Sequence, residues 1–409
     1  MYKLHTYCRA CGYAKPGAQG IKSVLTEKLI EVFDLGIQPL ANDFCKADEP
    51  HAGCAPLKVL MCPRCSLAQL SVVVDPAILY RHYAYVTSPS NTMQEHFRQL
   101  MNDIASETDG KSVLEIGSND GRLLAVFQDH GYGVLGVDPA ENLSEAARAN
   151  GVPTQTGFFG EDLARVLPAF DIVIARHVFC HVDDWQDFIR GLESVTHKDT
   201  VICIEAPYIG DTLKNCEFDQ VYHEHLSYLS VRAMKVLLES STLRIHRFIR
   251  YEIHGGAVLI MLRHKDSTRE ILPPEPLDGE NITVEDWKSF SEEAHNQIGR
   301  LKATISTLRS QGKRVAGLGA SAKSTVWISA CGFTRKHIEF IADNTVQKQY
   351  RFSPGNDIPI VDEGAIMREL PDYVLMWAWN YRDEILDKFT LARSKGVKFI
   401  IPVSRIEIV

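Results

Sequence analysis

The sequence predicts an α/β chain of three modules: an N-terminal metal-binding unit, a central Rossmann-like domain and a C-terminal Rossmann-like domain. Three observations carry this. Two CxxC pairs, Cys8/Cys11 and Cys62/Cys65, lie near the N-terminus. Two distant segments, KSVLEIGSNDGRLLAVF and KRVAGLGASAKSTV, each read as strand, glycine turn and helix. The chain has 409 residues, too many for one ordinary core. The expected modules are 1–80, 81–270 and 283–409.

Composition narrows the function classes. With 45% hydrophobic and 23% charged residues the chain is of globular type, and a formal net charge of −8 offers no general basic surface for nucleic acid or an acidic membrane. A small-molecule partner is expected instead. The N-terminus lacks the apolar core of a signal peptide and no apolar run reaches membrane-helix length, so a cytoplasmic location is expected. In that reducing compartment the ten cysteines read as metal ligands or buried fillers rather than disulfides.

In each CxxC pair a two-residue gap lets both thiolates meet one tetrahedral Zn²⁺, and two pairs close a Cys₄ shell. The intervening segment is about three times a usual spacer, a modest cost because loop-closure entropy grows only logarithmically. Cys45 and Cys54 are alternative ligands. Four protein ligands leave no open position, so the zinc is expected to be structural; chelation would unfold this module without selectively abolishing chemistry elsewhere. The following loop carries Tyr80, Tyr83, Tyr85, Ser88, Ser90 and Asn91, hydroxyls and an amide suited to a polar pocket.

The central module opens with a strand at Val113–Ile116, a turn with Gly117 and Gly121, and a helix ended by Gly131. A second strand ends at Asp138, placed to accept ribose hydroxyls beyond the carboxyl edge of a parallel sheet. Glu115 at the first strand's end would repel a pyrophosphate but suits a cationic ligand. The ExGxNxG pattern therefore resembles motif I of class I methyltransferases, whose ligand S-adenosylmethionine carries a sulfonium and an amino group; Asn119 stands where many members have glycine. Gly157, Phe158 and Phe159 fall where such proteins cover adenine. FDIVIARHVFCHVDD reads as the fourth strand, with His181 past its end.

FDQVYHEHLSYLS, residues 218–230, concentrates proton carriers on the same edge. If helical from Asp219 to His225, it puts Tyr222 and His225 on one face, with Glu224 behind an imidazole. Methylation at carbon needs a base to remove a C–H proton and groups that stabilise an enolate oxygen, and imidazole is suited to both. Either His225 or Tyr222 is the expected base, with His181 at the oxyanion.

The last third begins with a Pro/Gly linker, LPPEPLDGEN, and an amphipathic helix from Trp287 to Leu308 stopped by Gly312. In GLGASAKSTV, Ser321 and Lys323 at a helix start suit a phosphate, although Ala322 rules out a Walker A loop. Asp343, Lys348 and Asn380 are further residues that would touch a nucleotide or cap a helix, and His254, ahead of a glycine pair that serves backbone geometry, is a candidate to face the substrate.

Taken together, the two CxxC pairs around FDLGIQPLANDF, then EIGSNDG, CHV, FDQVYHEHLSYLS, HGG, GLGASAKSTV, DNTVQKQ and WAWNY, resemble the S-adenosylmethionine-dependent sugar C-methyltransferases that modify nucleotide-linked 4-keto-deoxysugars. The resemblance spans nearly the whole chain. It implies an N-terminal zinc module and a C-terminal domain that helps hold a nucleotide sugar carried on dTDP and methylated at C-3. It also implies that Tyr222, Glu224, His225, His181 and one of Tyr83 or Tyr85 form the catalytic neighbourhood. The rival readings are O- or N-methylation of a related metabolite and a non-catalytic zinc- and nucleotide-binding protein.

Overall fold

The computed structural model describes residues 1–15, 28–80, 83, 90–253, 255–269, 281–403 and 405–409. Tyr85, Ser88, His254 and the linker up to residue 280 lie outside the described residues.

The central sheet has seven strands in the spatial order Leu243–Tyr251, Ala257–His264, Thr196–Pro207, Phe170–Arg176, Ser112–Ile116, Gly133–Asp138 and Thr154–Thr156. The last five are parallel to one another, while Ala257–His264 runs antiparallel to both strands beside it. Strand order reverses beside Ser112–Ile116, and in such a sheet the crevice for a ligand opens there, past the carboxyl ends. Val113, Leu114 and Ile116 are buried on both faces, as expected of a parallel strand covered by helices.

The C-terminal sheet repeats the plan with six strands, Ile360–Asp362, Ile341–Asp343, Val315–Leu318, Tyr373–Met376, Lys398–Ile401 and an antiparallel Glu407–Ile408. Its long helix Val284–Ser310 starts at a Thr283/Asp286 capping box and is followed by Gly312 at φ 76°. This helix does not serve its own sheet alone. Phe290 meets Phe33 of the N-terminal strand Ile30–Pro39 edge-on at 5.1 Å, and one apolar core runs from that strand through Trp287 to Trp327.

The N-terminal four-stranded sheet comprises Ile30–Pro39, Cys54–Met61, Ala68–Leu70 and a strand from the central third, Ser227–Tyr228. That last pairing matters for function, because it begins two residues after His225. Among the described residues, no helix is long and apolar enough to cross a membrane.

Candidate functional site

A cavity of about 720 Å³ opens at the carboxyl edge of the central strands, walled by residues of the N-terminal, central and C-terminal parts of the chain. Its floor is the first turn: Gly117, Asn119 and Asp138 line it. Gly117 is required there, since its φ is 69° and a Cβ would fall 2.1 Å from Val178 Cγ2. Asn119 also adopts a left-handed conformation, φ 53°, which Asn tolerates better than most side chains; this accounts for its standing where glycine is usual. Asp138 accepts hydrogen bonds from the backbone N–H of Asn119 and of Ala140, both at 2.8 Å, and burial raises its pKa. Gly157 and a half-exposed Phe158 form the adjacent wall.

Glu115 and Gly121 stand behind that wall rather than on it. Gly121 starts the helix Arg122–Asp129 with φ 80°, and a Cβ there would press on Val152 at 3.0 Å. Glu115 is 1% exposed; burial pushes its pKa up to about 8, with Arg176 opposing and Asp138 and Asp120 adding to the rise. Its Oε2 and the Nε of Arg176, a cavity residue, have no hydrogen-bond partner among the described residues. A buried acceptor and donor left open beside a glycine turn fit a ligand with ammonium, sulfonium and carboxylate groups.

The 218–230 segment is not α-helical. Phe218–Gln220 forms one 3-10 turn, and a second turn closes with the His225 N–H donating to Tyr222 O at 2.9 Å. Extended pairing at Ser227 takes the chain into the N-terminal sheet, too soon for a helix to propagate. The two turns still bring the side chains together. The His225 Nδ1–H donates to the Gln220 carbonyl at 2.8 Å, which leaves Nε2 as acceptor for the Tyr222 hydroxyl at 2.6 Å. Burial, then nearby His181, hold the His225 pKa well below its usual value, so the imidazole is neutral. His181 stands 5.3 Å from it, ring centre to ring centre, and is likewise driven down to about 3 by burial and by His177.

Not every proton carrier of the segment faces the cavity. Asp219 is fully buried and accepts from the indole N–H groups of Trp327 and Trp379 at 3.1 and 2.8 Å, fastening the segment to the C-terminal domain. His223 Nε2 lies 3.2 Å from the Ala55 carbonyl. Glu224 lies one layer back, where Tyr83 and Asn42 donate to it at 2.6 and 2.7 Å; burial raises its pKa to about 6 against those bonds. Tyr83 itself lines the cavity, as do Tyr222, His225 and His181.

The far wall comes from the C-terminal turn. Ser321 caps the helix Ala322–Cys331, and Ser321, Lys323 and Asn380 all line the cavity. Lys323 Nζ sits 4.0 Å over the Trp379 ring with no hydrogen-bond partner among the described residues. Asp343 and Lys348 are not on the wall. Asp343 accepts from Ala320 N and Thr345 N at 2.6 and 2.7 Å, and Lys348 donates to Ala320 O at 2.7 Å.

Sequence reasoning missed His177, Glu205, His96 and Asn42. His177 lines the cavity at φ 53°, 3.0 Å from Glu205, whose other oxygen accepts from His96 at 2.7 Å. Burial opposes ionisation of Glu205, but these two imidazoles prevail and hold its pKa well below the carboxylate range.

At the N-terminus the sulfurs of Cys8, Cys11, Cys62 and Cys65 all lie within 4.8 Å of one another, with Cys8···Cys65 at 3.4 Å and Cys11···Cys62 at 3.6 Å. Bonds of about 2.3 Å to one tetrahedral zinc separate sulfurs by nearly that much. Cys45 instead contacts His51 at 3.4 Å, so it is not part of this set.

Comparison with known proteins agrees with this layout. The chain is 33% identical to the C-methyltransferase NovU of Streptomyces niveus over 97% of its own length and 95% of that protein. The chain belongs to the C-methyltransferase family. Residues 25–80 match the profile "Putative zinc binding domain", 91–247 "Methyltransferase domain" and 252–404 "C-methyltransferase C-terminal domain". Solved structures overlap it more narrowly. Magnesium protoporphyrin IX methyltransferase ChlM from Synechocystis PCC 6803 with bound SAH is 16% identical over 44% of this chain and 91% of its own, at TM-score 0.35. YcgJ of Bacillus subtilis is 17% identical over 42% of this chain and all of its own, at 0.34. This C-methyltransferase thus uses S-adenosylmethionine, and its second group is zinc in the N-terminal module.

Proposed function

We propose that this C-methyltransferase removes the proton from carbon 3 of a nucleotide-linked 4-keto-6-deoxysugar and directs methylation to that carbon. The observation that carries the reading is the 2.6 Å contact between the Tyr222 hydroxyl and His225 Nε2 in the wall shared with the cofactor turn. An imidazole kept neutral by burial, with its other nitrogen committed to the Gln220 carbonyl, has one lone pair to offer, and Tyr222 covers it.

In the proposed step the Tyr222 oxygen takes the carbon-bound proton while its own proton passes to Nε2. The C–H electron pair enters the bond between carbons 3 and 4, and the carbonyl pair moves onto the oxygen. Neutral His181 stabilises that oxyanion through an N–H rather than a full charge. Tyr83, held by Glu224, contacts the sugar; Ser321, Lys323 and Asn380 take the diphosphate side, where Lys323 supplies charge. Asp138 and the Gly117 turn orient the cofactor. S-adenosylmethionine, when bound, supplies an electrophilic methyl group.

The test is hydrogen exchange at carbon. In deuterated buffer without methyl donor, the 4-keto sugar nucleotide should acquire deuterium at carbon 3. Replacing His225 with Ala should slow this by about 10²–10⁴-fold while S-adenosylmethionine affinity stays within about twofold. Methyl transfer to a hydroxyl, or no exchange with the wild-type protein, would sink the reading.

A further inference from the structure

Arg9 lies between the two ligands of the first zinc knuckle, so its backbone is fixed by the metal-binding turn. That turn is tight: the Cys8 N–H donates to Tyr13 O and the Gly12 N–H to Cys8 O, at 2.9 and 3.0 Å. Yet its side chain leaves the module. It is fully buried, and its Nε and Nη2 donate to Asp183 Oδ1 at 3.3 and 3.2 Å while Nη1 donates to the Leu226 carbonyl at 3.2 Å. Asp183 stands two residues after His181 and lines the cavity; Leu226 directly follows His225. One guanidinium therefore spans the two loops that carry the facing histidines.

Other contacts point the same way. Lys3 and His5 also reach Asp183, at 2.8 and 3.2 Å, so three basic side chains of the N-terminal module converge on one carboxylate. Gln69, fully buried on the strand after the second knuckle, accepts from Arg9 N at 3.0 Å and pairs with Ser227. The Leu226 carbonyl is taken as well by Leu70 N at 2.9 Å. A planar fork with its donors committed to two loops resists rotation of either, which a lysine cannot do.

We propose that Arg9 is a positioning residue through which the zinc knuckle sets the separation of His181 and His225, making zinc occupancy a condition for carbon deprotonation more than for cofactor binding. This rests on the base assignment above. It also departs from the expectation that chelation unfolds the N-terminal module without selectively abolishing chemistry elsewhere, because the knuckle and the base share a hydrogen-bonded frame.

The experiment compares the full-length zinc-loaded protein with Arg9→Ala, Arg9→Lys and Asp183→Asn. Zinc content, S-adenosylmethionine affinity, deuterium wash-in at carbon 3 and backbone amide exchange over residues 178–184 and 222–227 are measured on each. Arg9→Ala should keep its zinc and hold cofactor affinity within about threefold, yet lose about 100-fold in wash-in, the scale of a 1 Å misplacement, with faster amide exchange in both loops. Arg9→Lys, keeping the charge without the fork, should recover part of the rate, and Asp183→Asn should fall between. Unchanged wash-in and amide exchange in Arg9→Ala and Asp183→Asn would overturn the proposal. A parallel loss of zinc, cofactor affinity and wash-in in Arg9→Ala marks simple unfolding of that variant, and Asp183→Asn then decides: unchanged wash-in and amide exchange there overturns the proposal. Absence of wash-in in the wild type would instead refute the base assignment, and the amide exchange would still test the clamp.

Discussion

The turn at Gly117 and the turn at Gly319 hold the same place in two Rossmann-like units, between a first strand and its helix, and each is fastened by an aspartate at the end of the second strand. Asp138 binds the backbone N–H of Asn119 and Ala140; Asp343 binds those of Ala320 and Thr345. They differ in charge. Around the first, Glu115 and Asp120 add to Asp138, and burial holds Glu115 and Asp138 reluctant to ionise. Around the second, buried Lys348 faces Asp343, and Lys323 stands beyond this pair over Trp379. On the proposed reading a glycine turn is a generic cradle, and its neighbours decide whether it suits a sulfonium or a diphosphate.

The most disruptive way to test this division is to fill each turn. Gly117→Ala places a methyl on Val178 and forces alanine to φ 69°, costs of about 1–3 and 1–2 kcal/mol respectively. Cofactor affinity should fall by about 100-fold or more, measured by titration calorimetry. Gly319→Ala meets Ala378 Cβ at 3.4 Å, an ordinary contact, and pays only the conformational cost at φ 91°. It should raise KM for the sugar nucleotide while leaving cofactor affinity alone. Equal losses in both variants would break the comparison.

Charge gives a smaller effect. Lys323→Gln should raise KM for the nucleotide sugar about 10–100-fold, the worth of one charge-assisted bond, and reduce the salt dependence of binding. Cofactor affinity should not change. A matching loss of cofactor affinity would mean the two turns serve one ligand.

What the sequence disclosed follows from distance along the chain. Both turns and both knuckles are readable because their determinants lie within a few residues: Cys-x-x-Cys followed by Gly12 or interrupted by Pro63. Tyr222 and His225 were readable as partners even though the helix assumed for them is a pair of tight turns, since i,i+3 neighbours meet in either. Glu224 was placed behind an imidazole on sequence grounds, whereas its partners are Tyr83 and Asn42, residues whose approach depends on how three sheets pack. The two indoles on Asp219 and the Arg9 clamp are long-range pairings of the same kind, invisible to periodicity. His96, Glu205 and His177 come from three separate elements, and only the last had a local signal, a histidine just past a strand end.

The finest test of the contrast is the pH dependence of the acidic turn. Glu115 has a folded pKa near 8 against an ordinary value of 4.5, so its contribution to stability is full below 4.5 and is lost as pH rises through about 8. Glu115→Gln removes that titration and should make the cofactor-free protein more stable by about 1–3 kcal/mol at pH 9, with little change at pH 4, read from denaturant midpoints. A cation at the turn favours the ionised carboxylate. The ratio of wild-type to Glu115→Gln affinity for S-adenosylmethionine should therefore rise by a few-fold as pH increases from 6 to 9, the titration of the ligand's own amino group being common to both proteins. The neutral thioether product, lacking the sulfonium charge, should show a shallower slope in the same ratio. An equal slope for both ligands would mean that the charge near Gly117 answers only to the amino group, and the distinction between the two turns would then rest on Lys323 alone.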